Sequence, residues 1–272
     1  MYEEYWNVSE KPFENTANSQ FYYPSDTHQG ALLKLRYAVE SSTGGALLTG
    51  APGLGKTLVL QSLLQHLPAP VAPRVNLVFP KMPTDQLLSF IADELAGSQT
   101  PRSRTVDESI RTIQSTLQEN AKAGRRAMLI VDEAHLLASE RTLDTLRLLL
   151  NFEYEGKPCL TLILSGQPNL LPVLERHPGL EERMAVKCLL RPFSEDETSS
   201  YIQHRIQQAG GSSSVFDQEA IGAIHAISHG VPRKINRLCD LALLIAFAEE
   251  QATITAAQIE SVSDELITVA PE

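Results

Sequence analysis

Two hydrophobic periodicities alternate along the first 190 residues of this chain. Short apolar runs occur at Ala46-Leu47-Leu48, from Arg74 to Phe79, from Ala127 to Val131, from Leu160 to Leu164 and from Ala185 to Leu190. Each is too short for a stable helix and apolar enough to be buried on both sides, which predicts a strand. Between them, apolar residues recur every three or four positions. Ser25-Asp26 opens a helix through about Glu40 with Ala31, Leu32, Leu35 and Ala38 on one side. A second begins near Gly55 and carries Leu58, Leu60, Leu63, Leu64 and Leu67. Thr84 is the expected cap of a third, with Leu87, Leu88, Ile91 and Leu95 inward and Gly97 as its stop. Thr105-Val106-Asp107-Glu108 is a capping box for a fourth, with Ile110, Ile113 and Leu117 inward, ending before Gly124. A fifth carries Leu143, Leu146, Leu149 and Leu150. Strands alternating with helices predict an α/β fold in three layers, a parallel sheet covered on both faces, with a ligand site at the carboxyl ends of the strands.

From Pro192 the pattern is helical throughout. Ser194-Glu195-Asp196-Glu197 is a second capping box, and Gly210-Gly211 ends its helix. The next helix spans Phe216 to His229 with Ile221, Ile224 and Ile227, and Gly230 ends it. Another runs from Pro232 to about Glu250 with Ile235, Leu238, Leu241 and Ile245. The last begins at Thr255, paired with Gln258, with Ile254 and Ile259 as a hydrophobic staple. The expected organisation is therefore an α/β core over residues 1–191 and a helical domain over residues 192–272. Residues 1–26 form an arm of aromatics and turn formers (Tyr5, Trp6, Pro12, Phe13, Phe21, Tyr22, Tyr23, Pro24) expected to pack across the core. Such a surface suits either an adenine base or plain packing.

Composition narrows the picture. The 272 residues carry 23 Lys and Arg against 33 Asp and Glu, a net charge of −10, which argues against a generally basic nucleic-acid face but leaves room for a local patch. Cys159, Cys188 and Cys239 are widely spaced and without zinc spacing, in keeping with a reducing compartment. The acidic, aromatic start Met1 to Trp6 does not have the form of a signal peptide. The longest apolar run, Leu241 to Ala248, is far short of the ~20 residues that cross a bilayer. Together these read as a soluble cytoplasmic protein.

The candidate chemistry lies where strands end. Gly50-Ala51-Pro52-Gly53-Leu54-Gly55-Lys56-Thr57 fits the spacing of a phosphate-binding loop, G-x-x-x-x-G-K-[ST], between a predicted strand and a predicted helix, and the binding segment extends to Leu58. Its glycines permit backbone conformations that wrap a phosphate chain, and the helix adds its positive end. Lys56 supplies a cation for the β and γ phosphates of ATP, and Thr57 a hydroxyl for Mg²⁺. The strand Ala127 to Val131 runs into Asp132-Glu133. Downstream of such a loop, the first acid is expected to hold the water shell of Mg²⁺, and Glu133 to orient or deprotonate an attacking water. The strand from Leu160 ends in Ser165-Gly166-Gln167. Asp132-Glu133-Ala134-His135 also spells a helicase box, but a helical tail is the wrong second domain for one. There is no Asn-Lys-x-Asp guanine signature, and the seven histidines have no metal-binding spacing, so Mg²⁺ is the sole metal expected.

A phosphate-binding loop, Asp-Glu after the third strand and a helical lid resemble the P-loop NTPases of the AAA+ class. Lys11-Pro12-Phe13, Phe21-Tyr22-Tyr23, His28, Ser165-Gly166-Gln167-Pro168 and Gly230-Val231-Pro232-Arg233-Lys234-Ile235-Asn236 narrow the resemblance to the general secretion pathway protein A (ExeA/GspA) family, over essentially the whole chain. The resemblance implies a central five-stranded parallel sheet followed by an all-α lid. It implies a sensor 1 role for Gln167, or for Ser165. It implies an arginine finger at Arg183, reaching the γ-phosphate of a neighbouring subunit, and a sensor 2 role for Arg233, which reads the γ-phosphate as the lid closes. Arg183 could equally pair with Glu181 or Glu182, and Arg233 could be a solvated charge at a helix start. Longer members of the family continue into a transmembrane helix and a peptidoglycan-binding part, so a stand-alone ATPase or envelope contact through a partner is expected here. Phe79 stands where relatives often carry a polar Asn at the end of the second strand.

The function expected is an ATP-hydrolysing, ATP-bridged homo-oligomer that assembles or remodels a protein partner, plausibly a membrane-anchored component of secretion or the envelope. The alternative is a DNA-associated ATPase, for which Arg233, Lys234 and Arg237 supply a small basic cluster. A nucleotide-dependent scaffold with little turnover is disfavoured by the Asp132-Glu133 pair.

Overall fold

The computed structural model describes residues 1–16, 18–41, 44–98, 100, 102–137 and 139–268. They form two compact units. One comprises residues 27–51 and 59–190, the other residues 1–26, 52–58 and 191–272.

In chain order the first elements are α1 (Asp26–Glu40), β1 (Gly45–Thr49), α2 (Lys56–His66), β2 (Val71–Leu77), α3 (Thr84–Ala96), α4 (Val106–Lys122), β3 (Arg126–Val131), α5 (Glu140–Leu149), β4 (Glu153–Tyr154), β5 (Lys157–Pro158), β6 (Leu160–Gly166), α6 (Leu170–Glu175), α7 (Pro178–Glu181) and β7 (Met184–Leu189). Five strands make one parallel sheet in the order β2-β3-β6-β1-β7, as expected. Alternation sorts each strand's side chains to two faces. Leu47, Val75, Leu77, Leu129, Val131, Leu162 and Leu164 pack with Leu87 and Ile91 of α3, Ile113 and Leu117 of α4 and Leu146 of α5. The intervening Ala46, Leu48, Met128, Ile130 and Ile163 are equally buried, so both faces are covered. The register aligns the carboxyl ends: Val131 pairs with Leu164, and Thr49 with Gly166.

Local chemistry sets the boundaries. The carbonyls that α2 leaves unpaired at its end are taken by Arg74, whose guanidinium donates to Leu64 O at 2.8 Å and Leu67 O at 3.0 Å. The Thr105–Glu108 capping box forms in both directions, and α3 ends on Gly97 in the left-handed region. Thr84 differs from expectation. Pro83 occupies the cap position, and the Thr84 hydroxyl is instead 2.9 Å from that of Thr142. A hydroxyl bonded across to α5 cannot also turn back to its own helix. β2 stops at Leu77, leaving Val78 and Phe79 exposed beyond the sheet. The β4–β5 hairpin, turning at Glu155-Gly156 with positive φ at both, has strands too short to show a period.

The second unit is helical: α8 (Glu195–Gln208), α9 (Gln218–Ser228), α10 (Pro232–Ala248) and α11 (Ala256–Thr268). The Ser194–Glu197 box forms as expected. Asp217 caps α9, accepting from Ala220 N at 2.6 Å. His229, in the left-handed conformation, ends α9 one residue before Gly230. Ile254 and Ile259 are both buried, and Thr255 N donates to Gln258 Oε1 at 3.0 Å.

The arm joins this helical unit, whereas the sequence reading assigned residues 1–26 to the α/β core. Tyr2, Trp6, Phe13 and Phe21 are buried with Phe193, Tyr201, Ile202, Ile235 and Leu238. Trp6 Nε1 donates to Leu243 O at 3.1 Å, and Ser9 N to Ala209 O at 2.8 Å. Buried Arg205 lies 4.7 Å from the centre of the Phe21 ring and donates to the Tyr201 hydroxyl at 2.9 Å and to Glu14 O at 3.2 Å. A cation inside an apolar cluster is tolerated because aromatic faces and oxygen acceptors replace its water. Tyr2, Trp6, Phe13 and Phe21 are thus used for packing.

Two outcomes test this account. Thr105→Ala removes one side of the capping box and should lower stability by about 1 kcal/mol in urea unfolding. Asp93 is the pH-sensitive case. Burial alone would raise its carboxyl, but Arg102 N at 3.0 Å and the Arg104 guanidinium hold it below the ordinary value. A depressed carboxylate contributes stability above the unfolded value and loses it as pH falls through the folded one. Asp93→Asn should therefore be less stable than wild type near neutrality, with the gap closing as pH drops below about 4. Urea midpoints measured across that range read both effects.

Candidate functional site

Three strand ends in the α/β unit carry the predicted chemistry. β1 ends at Thr49, and Gly50 N donates to Gly166 O at 3.2 Å, so the phosphate-binding segment departs directly beside the end of β6. β3 ends at Val131, and Asp132 N continues the ladder to Leu77 O at 2.9 Å. Asp132 is buried, and its Oδ1 accepts from Ser165 Oγ at 2.8 Å and from Glu133 N at 2.9 Å. Such donors offset the cost of burying its polar oxygen.

Glu133 follows in the left-handed region, φ 50 and ψ 37, and caps the short 3-10 turn Ala134–Leu136. Left-handed backbone is uncommon for a residue with a side chain and concentrates at functional sites. Its carboxylate is 41% exposed and lies 3.3 Å from His135 Nδ1. Gln167 enters through its backbone, its N lying 3.4 Å from the same His135 Nδ1. Ser165, the second choice for sensor 1 by resemblance, is thus the residue that bonds Asp132. The Asp-Glu-Ala-His spelling points to a helicase box and assigns no role to His135; the signal for its approach is a histidine two positions after the second acid.

In the helical unit the segment 52–58 leads into α2, which begins at Lys56, so the positive end of that helix falls at the Gly55-Lys56-Thr57 step. Lys56 is buried and Thr57 exposed. Gly53 has φ +82, and a Cβ there would stand 2.9 Å from Arg233 Cβ and 3.2 Å from Val231 Cγ1. Arg233 N also donates to Gly53 O at 3.3 Å. The start of α10 therefore lies directly on the phosphate-binding segment, and the Arg233 side chain there is exposed.

Arg183 lies elsewhere. It precedes Met184, which pairs with Gly45 at the start of β1. It therefore sits at the amino-terminal edge of the sheet, about 15 Å along the strands from Asp132 and Ser165 at ~3.3 Å per residue. Its guanidinium donates to Asn151 Oδ1 at 2.5 Å and Leu150 O at 3.4 Å, at the end of α5, rather than pairing with Glu181 or Glu182. Glu181 instead bonds Lys187 at 2.6 Å.

Comparison with known proteins agrees with this architecture. The model of the AAA domain matches residues 39–174, which include both the loop and the Asp132-Glu133 strand end. General secretion pathway protein A of Aeromonas hydrophila is 37% identical over 254 residues, covering 91% of this chain and 45% of that protein. Cell division control protein 18 of Schizosaccharomyces pombe is 29% identical over 194 residues, covering 65% of this chain and 32% of its own length. The chain thus spans less than half the length of these relatives. Among solved structures, Cdc6p from Pyrobaculum aerophilum superposes with a TM-score of 0.73 at 18% identity, covering 97% of this chain and 75% of that one. The Aeropyrum pernix ORC1 protein in complex with DNA gives 0.69 at 18% identity, covering 94% and 68%. At such identity these two likenesses concern the fold. No helix among the described residues is long and apolar enough to cross a membrane. With the loop, the strand-end acids and four of the five strands of the parallel sheet present in the matched region, the chain belongs to the AAA family, and it is similar over most of its length to general secretion pathway protein A.

Proposed function

We propose that this chain binds ATP with Mg²⁺ and hydrolyses it, and that it uses ATP-dependent oligomerisation and closure of its helical domain to assemble or remodel a protein partner. The observation that carries the reading is the Asp132-Glu133 strand end. One carboxylate is buried and held by Ser165 Oγ at 2.8 Å, the next is partly exposed on a left-handed turn, and Gly50 opens the phosphate-binding segment beside the same strand, β6. In this reading residues 50–58 wrap the triphosphate and Lys56 neutralises its β and γ charges. Thr57 and Asp132 are hard oxygen donors of the kind Mg²⁺ takes, Asp132 through the ion's retained water. When bound, Mg²⁺ would offset the charge developing on the transferred phosphoryl group. Glu133 orients or deprotonates the water, with Ser165 and Gln167 at the neighbouring strand end as sensor 1 candidates. Arg233 reports nucleotide to the helical domain.

The position of Arg183 at the far edge of the sheet suits action on a neighbouring subunit's nucleotide rather than its own. The similarity to general secretion pathway protein A favours a partner in secretion or envelope assembly, reached from the cytoplasmic side. A DNA-associated role is the second reading. It is favoured by Arg233, Lys234 and Arg237, all exposed on the first turns of α10. Binding to duplex DNA that weakens steeply with salt would select it, since phosphate contacts release counterions.

Lys56→Ala should abolish binding of a fluorescent ATP analogue; unchanged affinity would refute the phosphate role. Glu133→Gln should keep that affinity while turnover falls by roughly 10²-fold or more. Arg183→Ala should remove the dependence of turnover per subunit on protein concentration. Wild-type turnover that is already independent of concentration would sink the idea of a finger acting between subunits.

A further inference from the structure

We infer that His135 is a positioning residue for Glu133, coupling that carboxylate to the end of β6 through one ring nitrogen. The inference rests on the hydrolytic reading above and adds to it a residue that the loop and strand-end motifs do not assign. Three observations carry it. First, the 3-10 turn after β3 folds the chain back so that His135 Nδ1 lies 3.3 Å from Glu133 Oε2, the ring being 8% exposed while the carboxylate is 41% exposed. The ring is fixed by packing and the acid is not. Second, the same Nδ1 lies 3.4 Å from Gln167 N. Third, Gly166 leaves room for this approach: a Cβ there would stand 3.2 Å from His135 N and 3.5 Å from Nδ1.

Nδ1 of imidazole offers either one N–H or one lone pair. Carrying a proton, it attracts the Glu133 carboxylate, which lies at ion-pair distance, and has nothing with which to accept from Gln167 N–H. Without the proton, it accepts from Gln167 and presents a lone pair to the carboxylate, releasing it. The two contacts exclude each other, so the ring selects between a held and a released Glu133. The partner in the released state is the backbone two residues after Ser165, whose hydroxyl holds Asp132 at 2.8 Å. A small displacement of the end of β6 therefore reaches Glu133 through His135. A ring that merely fills space between two strand ends would not depend on the nitrogen.

The test compares wild type, His135→Ala, His135→Asn, Glu133→Gln and the double variant Glu133→Gln/His135→Ala, reading the Kd for a fluorescent ATP analogue, kcat and the urea midpoint of each. Asn places an amide close to the position of Nδ1 and is the conservative variant. His135→Ala should lower kcat on the order of 10- to 100-fold with Kd changed less than about twofold, as a misplaced catalytic group does. His135→Asn should recover most of kcat. In the Glu133→Gln background, His135→Ala should have no further effect, because residues that act through one another are not additive. Unchanged kcat in His135→Ala would overturn the inference. So would a His135→Asn variant as slow as His135→Ala at a wild-type urea midpoint, or additive losses in the double variant. If Glu133→Gln slows turnover while His135→Ala does not, the hydrolytic reading stands and only the role of His135 falls. If wild type does not hydrolyse ATP, both fall together.

Discussion

The hydrogen bond from Ser165 to Asp132 is possible only because β3 and β6 are neighbours in register, with Val131 opposite Leu164. One step further along, the side chain of Asp132 and that of Ser165 emerge side by side at the sheet edge. A slip of one residue would turn one of them to the opposite face. Leu129, Val131, Leu162 and Leu164 pack on one face and Met128, Ile130 and Ile163 are buried on the other, so a slip would exchange side chains of different shape between two close-packed faces. The core thus sets the chemistry: the position of a buried carboxylate is fixed by the packing of leucines several residues away.

The same sheet explains the placement of the rest. Parallel strands put all their carboxyl ends at one edge, where Gly50, Asp132, Glu133 and Gln167 fall, and all their amino ends at the other, where Arg183 falls. Polar groups at the first edge are hydrogen-bonded to one another, while Arg183 is tied to the end of α5 by Asn151 and Leu150. The strained conformation of Glu133 belongs to this picture. The chain must turn sharply after β3, and the residue that takes the left-handed conformation is the one whose carboxylate is turned out of the core.

In the helical unit an arm and a loop are integral parts rather than attachments. Four aromatic residues of the first 21 complete its core, and Arg205 bonds the arm backbone at Glu14. The phosphate-binding segment meets the first turn of α10 at Gly53, a position that admits no side chain without moving Arg233 or Val231. The loop and the start of α10 are thus joined by backbone contact, Arg233 N donating to Gly53 O, independently of the Arg233 side chain.

The sequence by itself determined the elements with strong periods or local chemistry. The five apolar runs became five strands, the capping boxes at Thr105 and Ser194 formed, and the loop and the Asp-Glu pair fell at strand ends. These features depend on residues within a few positions of one another, or on burial that any packing would demand. Tertiary structure alone decided what depends on partners distant in the chain. The Thr84 hydroxyl went to Thr142, 58 residues away, instead of capping its helix. The aromatic arm packed with helices at the far end of the chain, because aromatic side chains show that a segment is buried but not against what. The bond from Ser165 to Asp132, and the approach of His135 to both Glu133 and Gln167, follow from which strands lie side by side, a fact that no local pattern of residues encodes.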